Sequence, residues 1–198
     1  SLVFNGTKNI DLDSGAYIRW KKNIKDQTED YGVVRAYHVE KELEELTNMK
    51  EDSFINNIIN AYYGYNMYPA YIVYQHNFVS DNVTRGYHID GFTDEFKAFL
   101  YLEDVNEGNG PFSYLSGSHK SYAKRWQRMT SKTNPSTAFL EQDLEQEMKN
   151  ECKICAGAGA LILADTVGFH RGMPQTSKSR SIIYNNYFPK KQLLYPEK

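Results

Sequence analysis

Short runs of aromatic and β-branched residues, separated by turn-forming clusters, dominate the second half of the chain. Residues 71–79, 99–102, 112–115, 160–163 and 181–187 each read as a strand. Turns are predicted between them at 106–111 and 116–118. Two further strand candidates, 17–20 and 33–39, lie near the start. The period then changes: from about residue 41 to 63 the apolar residues take helical spacing, with Phe54, Ile55, Ile58, Ile59 and Tyr62 forming one apolar face. Asp52 and Ser53 stand where a cap would restart that helix after Met49. A polar insert over 121–151 carries Leu140, Leu144 and Met148 at intervals of four, which predicts one or two helices covering the sheet or a pocket. The pattern as a whole predicts a mainly β fold with helical buttresses, a barrel or a sandwich.

No internal repeat, low-complexity stretch or long linker divides the 198 residues, so a single domain over 1–198 is expected. Its parts are an N-terminal helix-and-strand segment (1–69) and a strand-rich core (70–188) that holds the insert. A net charge of −2 gives nucleic-acid binding no electrostatic support. The local patch of Lys120, Lys124, Arg125 and Arg128 reads as a solvated helix face. No apolar run is long enough to predict a membrane span, and two cysteines argue against a disulfide scaffold, so the default expectation is a cytoplasmic protein. Cys152 and Cys155 lack the second pair that a four-cysteine zinc site needs, and i, i+3 positions on a strand point apart. Sixteen tyrosines and ten phenylalanines must serve the core or line a pocket.

The candidate chemistry is concentrated in four residues. His88 and Asp90 are two apart near a strand end, so both side chains can reach one ion while Ile89 turns away. His170 follows a nearly continuous apolar strand and a turn-like bridge. Two imidazoles and a carboxylate form the facial triad that holds iron(II) and leaves other coordination positions open. Arg180 opens the next strand and offers a fixed cation for a dicarboxylate co-substrate. Taken singly, His170 reads as a satisfied core histidine and Arg180 as a salt-bridge partner; jointly those readings explain little. Arg171 sits beside the distal histidine, and alternation puts it either toward substrate or toward solvent.

The motifs Y-H-I-D-G over 87–91, G-N-G-P-F-S-Y-L-S-G-S-H-K over 108–120, G-A-L-I-L-A-D-T-V-G-F-H-R-G over 159–172 and R-S-I-I-Y over 180–184 resemble the phytanoyl-CoA dioxygenase family. The resemblance covers roughly residues 70–188. It implies a double-stranded β-helix (jelly-roll, cupin-like) barrel, with iron(II) bound by His88, Asp90 and His170. It also implies 2-oxoglutarate and O2 as co-substrates, with Arg180 on the distal carboxylate and Asn77 and Phe99 as further contacts. The implied activity is hydroxylation of a small organic substrate, since Asp90 stands where related halogenases carry a small residue. The chain departs from the family at Gly172, where a hydroxyl side chain often helps the arginine; Thr176, Ser177, Ser179, Tyr74 and Tyr101 are candidate replacements. Two competing readings are a non-catalytic binding module on the same barrel and a cupin-like metal enzyme that does not use 2-oxoglutarate. Selectivity is expected from residues 1–69 and from the insert.

Overall fold

The computed structural model describes residues 6–22, 32–79, 86–130 and 137–189. Its strands are β1 (Gly6–Asp11), β2 (Tyr17–Lys22), β3 (Val33–Tyr37), β4 (Tyr68–Asn77), β5 (Tyr87–His88), β6 (Phe96–Tyr101), β7 (Phe112–Leu115), β8 (Ala138–Phe139), β9 (Glu151–Ile154), β10 (Leu161–Asp165), β11 (His170–Gly172) and β12 (Arg180–Phe188). Helices α1 (Glu44–Lys50) and α2 (Ser53–Tyr63) precede β4, and α3 (Tyr122–Met129) and α4 (Glu145–Met148) lie in the insert. The strands form an antiparallel seven-stranded sheet ordered β1-β2-β3-β4-β12-β6-β10 and a five-stranded sheet ordered β8-β5-β11-β7-β9.

The central strand β12 explains the layering. It lies between β4 and β6, and both of its faces are covered, so every residue but Ser181 is buried, the polar Arg180, Asn185 and Asn186 included. Ile182 and Tyr184 point inward and meet Phe99, Tyr101 and Val73 of the same sheet and Phe112 and Ile154 of the other. Tyr187 points outward and packs with Ile55 and Ile59 of α2 and with Met67, Phe96 and Ala98. The functional side chains therefore sit on the inner face, and α2 supports that sheet from behind.

The helical stretch predicted over 41–63 divides in two. Asp52 caps α2 as expected, its carboxylate accepting from the Ile55 amide at 2.8 Å, and Gly64 ends the helix in the left-handed region at φ 76°. Of the five apolar positions, only Ile55 and Ile59 are buried; Phe54, Ile58 and Tyr62 lie on the neighbouring stripe, about 100° round the helix, and remain exposed. The insert holds the predicted helices and also β8. Leu144 is fully buried with Tyr87, Ile89, Leu115, Phe139 and Phe169 on the outer face of the five-stranded sheet, whereas Leu140 is exposed. Arg125, expected at the surface, is buried; its guanidinium donates to the carbonyls of His119 (2.5 Å), Ser118 (3.4 Å) and Val167 (3.4 Å). Lys124 pairs with Glu147 at 2.8 Å. No helix among the described residues is long and apolar enough to cross a membrane.

Ile59→Ala should cost about 2–5 kcal/mol through the cavity it leaves, and Phe54→Ala less than about 0.5 kcal/mol, read as urea midpoints at constant m. Equal midpoints for the two variants would contradict the assignment of the buried stripe.

Candidate active site

β5 and β11 pair at a single position, His170 opposite His88, which sets the two imidazoles side by side with centroids 4.5 Å apart. Each ring is then aimed by its own backbone: His88 Nδ1 lies 3.2 Å from the Gly86 carbonyl and His170 Nδ1 2.9 Å from that of Gly168. A carbonyl only accepts, so each Nδ1 carries the proton and each Nε2 lone pair is free to bind a metal. Asp90 lies just past the end of β5, its amide donating to the Thr166 carbonyl at 3.1 Å, while Ile89 is buried among the outer-face residues. The carboxylate comes within 3.3 Å of His170 Nε2 and 3.9 Å of His88 Nε2. The three donor atoms all lie within 4.8 Å of one another, close enough for one ion. Burial, with His170 adding to it, lowers the His88 pKa to about 4, so its ring is neutral near pH 7, as ligation requires. Burial alone would raise the pKa of Asp90, but Lys97 and His170 outweigh it and hold the carboxyl well below its usual range.

Lys97 was not singled out by the sequence motifs. The signal available was a lysine in the otherwise apolar run F-K-A-F-L-Y of β6, at a position that shares the face of Phe99. Its ammonium lies 2.9 Å from Asp90 Oδ2 and 3.5 Å from Glu95 Oε1, and 5.1 Å from the Tyr184 ring centroid. Thr166 ties these segments together: its carbonyl accepts from Asp90, and its amide and hydroxyl donate to the Glu95 carbonyl at 2.9 and 3.1 Å. A cavity of about 370 Å³ opens here, with Asp90, Glu95 and Lys97 in its wall together with Arg35, Tyr37, Tyr71 and Tyr184.

Arg180 is buried, and burial lowers its pKa to about 10, so it remains a cation near pH 7. It donates to the Gly110 carbonyl. Asn77 is its register partner on β4 and is fully buried, its Oδ1 accepting from Gln75 at 2.8 Å. Phe99 packs at a tilt against Phe112 and Tyr184, with centroids 4.8 and 5.6 Å away. At Gly172, where the chain departs from the family, a Cβ would stand 2.8 Å from Arg180 Nη2, so a larger residue would require the guanidinium to shift. Of the candidate replacements, Tyr101 is placed inward beside Arg180 by its pairing with Ile182, but its hydroxyl already accepts from the Phe112 amide (3.0 Å) and donates to the Ile154 carbonyl (2.9 Å). Tyr74 instead reaches Ser181 Oγ at 3.4 Å; Thr176 and Ser177 are exposed, and Ser179 is half-buried in the loop before Arg180.

The remaining questions resolve by alternation. Arg171 points away from His170 to the outer face, where it stacks on Tyr87 at 4.2 Å and pairs with Glu141 (2.5 Å) and Glu151 (3.5 Å). Glu151 Oε1 also accepts from Tyr87 (2.5 Å) and Ser113 (2.7 Å), so one carboxylate ties β5, β7, β9 and β11. His119 sits in a single turn of 3-10 helix, and both cysteines are free and exposed.

No family model and no curated protein matches the chain. Solved structures do. HygX from Streptomyces hygroscopicus, with nickel and 2-oxoglutarate bound, aligns with a TM-score of 0.56 at 13% identity, over 80% of this chain and 70% of HygX. EctD from S. alaskensis with bound Fe gives 0.60 at 14%, over 83% of this chain and 59% of EctD. The non-heme alpha ketoglutarate dependent epimerase SnoN gives 0.57 at 11%, over 84% and 69%. The fold is the double-stranded β-helix. The jelly-roll that the resemblance implies is thus found, as two antiparallel sheets. Of the residues singled out in the sequence, this double-stranded β-helix gathers His88, Asp90 and His170 into one cluster and sets Arg180 beside Asn77.

Burial works against the Glu151 carboxylate, but hydrogen bonds from Tyr87 and Ser113 and the charge of Arg171 outweigh it and hold its pKa below the ordinary 4.5. Its stabilisation is therefore complete above pH 4.5 and is lost as the pH falls through the folded value. Glu151→Gln should flatten the acid limb of stability below pH 4.5, measured as urea midpoints; an unchanged limb would remove Glu151 from that role.

Proposed function

We propose that the chain is an iron(II)- and 2-oxoglutarate-dependent oxygenase of the phytanoyl-CoA dioxygenase type, hydroxylating a small organic substrate. One observation carries the reading: the Arg180 guanidinium lies against Gly172, two residues along β11 from His170 and on the same face. Two strand residues span about 7 Å, which suits a five-carbon dicarboxylate held at the triad by one end and at the arginine by the other. HygX and SnoN, both described with 2-oxoglutarate, have the same fold and support the choice of co-substrate.

In this reading His88, Asp90 and His170 hold the metal on one side, and the donor set of two imidazoles and one carboxylate suits iron(II). When bound, iron with 2-oxoglutarate and O2 supplies the oxidising power, the overall change being C–H, 2-oxoglutarate and O2 to C–OH, succinate and CO2. The protein's own residues position and shield. Arg180 takes the distal carboxylate through its planar donor pair, and Asn77 stands beside it. Phe99 and Phe112 wall the space between the sheets, and with Ile182 and Tyr184 they keep it dry. The 370 Å³ cavity beside Asp90 receives the substrate; its tyrosines, Arg35 and Glu95 favour a small polar molecule. The complete ligand set and Arg180 favour this reading over a binding module or a cupin-like enzyme that does without 2-oxoglutarate.

The deciding experiment is anaerobic titration with iron(II) and 2-oxoglutarate, followed by the visible charge-transfer band of the chelate. The parent protein should give the band and His170→Ala should not, although its circular dichroism is unchanged. Arg180→Ala should keep iron and raise the 2-oxoglutarate requirement by about thirtyfold or more, the equivalent of ~2 kcal/mol for truncating one partner of a buried charge pair. A folded parent without the band would sink the oxygenase reading; unchanged dependence in Arg180→Ala would remove Arg180 from it.

A further inference from the structure

An open site needs three protein ligands and no more, yet the cavity wall holds a second carboxylate. Glu95 and Asp90 face each other across a single ammonium: Lys97 Nζ is 2.9 Å from Asp90 Oδ2 and 3.5 Å from Glu95 Oε1. The two acidic segments are fixed at this spacing by Thr166, which is itself fully buried and bonds the backbone of both. A Cβ at Gly91 would lie 3.4 Å from Glu95 Oε2, so the Glu95 carboxylate lies close to the segment that carries His88 and Asp90. A divalent ion at the triad would attract both carboxylates. Two histidines and two carboxylates would fill four positions and leave less room for a bidentate co-substrate and oxygen.

We propose that Lys97 is a positioning residue that keeps the metal site open, by engaging Glu95 and the second oxygen of Asp90 so that neither becomes an additional ligand. The inference rests on the metal reading given above and adds a role for Lys97, to which that reading assigns none. The geometry favours it in two ways. Lys97 reaches both carboxylates at once, and its side chain is only 12% exposed, so water cannot replace it as their partner without opening the wall. The cation is also held in place from its other side, over the Tyr184 ring.

The test uses cobalt(II), whose d–d absorption reports ligand number and geometry without turnover. Removing Lys97 takes away a competing cation and frees a carboxylate, so Lys97→Met should bind cobalt(II) more tightly, by about tenfold or more, with an altered band. Lys97→Arg, which keeps the charge, should restore the parental band, and Lys97→Met combined with Glu95→Gln should lose the part of the change that Glu95 contributes. Glu95→Gln alone leaves Asp90 paired and guards against a misfolded lysine variant: its band should equal the parent's. Parental affinity and band in Lys97→Met would overturn the proposal, as would a changed band in Glu95→Gln, because Glu95 would then already be a ligand. His170→Ala separates the two levels: if it binds cobalt(II) as the parent does, the triad reading itself falls and this inference falls with it.

Discussion

Everything at the site depends on one backbone pairing, His88 against His170. β5 is two residues long and would not hold a register on its own. It is fixed by what lies behind it. Tyr87 and Ile89 bury themselves with Phe139, Leu144 and Phe169, so a slip of one residue would turn two apolar side chains into the site and His88 out of it. The polar tie from Tyr87 through Glu151 to Arg171 and Ser113 crosses four strands in the same layer. The insert contributes through Leu144 and β8, and Arg125 fastens α3 to the loop leading into β11. A polar segment that looks peripheral in the sequence is therefore part of the wall that positions the histidines.

Two cations of the inner face, Lys97 and Arg180, are held under very different terms. Lys97 is compensated by carboxylates on both sides, which offsets the cost of taking an ammonium out of water. Arg180 is more deeply buried and donates to a backbone carbonyl, and the price of that placement appears as a lowered pKa. A planar guanidinium tolerates such a setting better than an ammonium, being weakly hydrated and always charged. The division between the two residue types follows from this: lysine where the counter-ions are built in, arginine where a neutral carbonyl accepts the bond.

Much of this was legible in the residues. β3, β4, β6, β7 and β12 announce themselves because aromatic and β-branched residues fill faces that are buried. β1 and β8 do not: the first is polar in sequence and the second is two residues long, so both exist through pairing rather than pattern. The buried stripe of α2 is not legible in the pattern, because Phe54, Ile58 and Tyr62 compete with Ile55 and Ile59, and only the position of the sheet decides which side is covered. The histidines and aspartate were readable from spacing and residue type. Lys97 and Glu95 were not, since their meaning arises only when β6 is laid beside β10 and the Thr166 turn.

Gly172 has a consequence for how this chain can change. A side chain at 172 would bring its first atom to 2.8 Å from the arginine's Nη2, closer than a carbon and a nitrogen pack without a shift. Positions 172 and 180 are thus coupled: a side chain gained at the first obliges the guanidinium at the second to move. The bare backbone on one strand therefore sets where the cation on the next can rest.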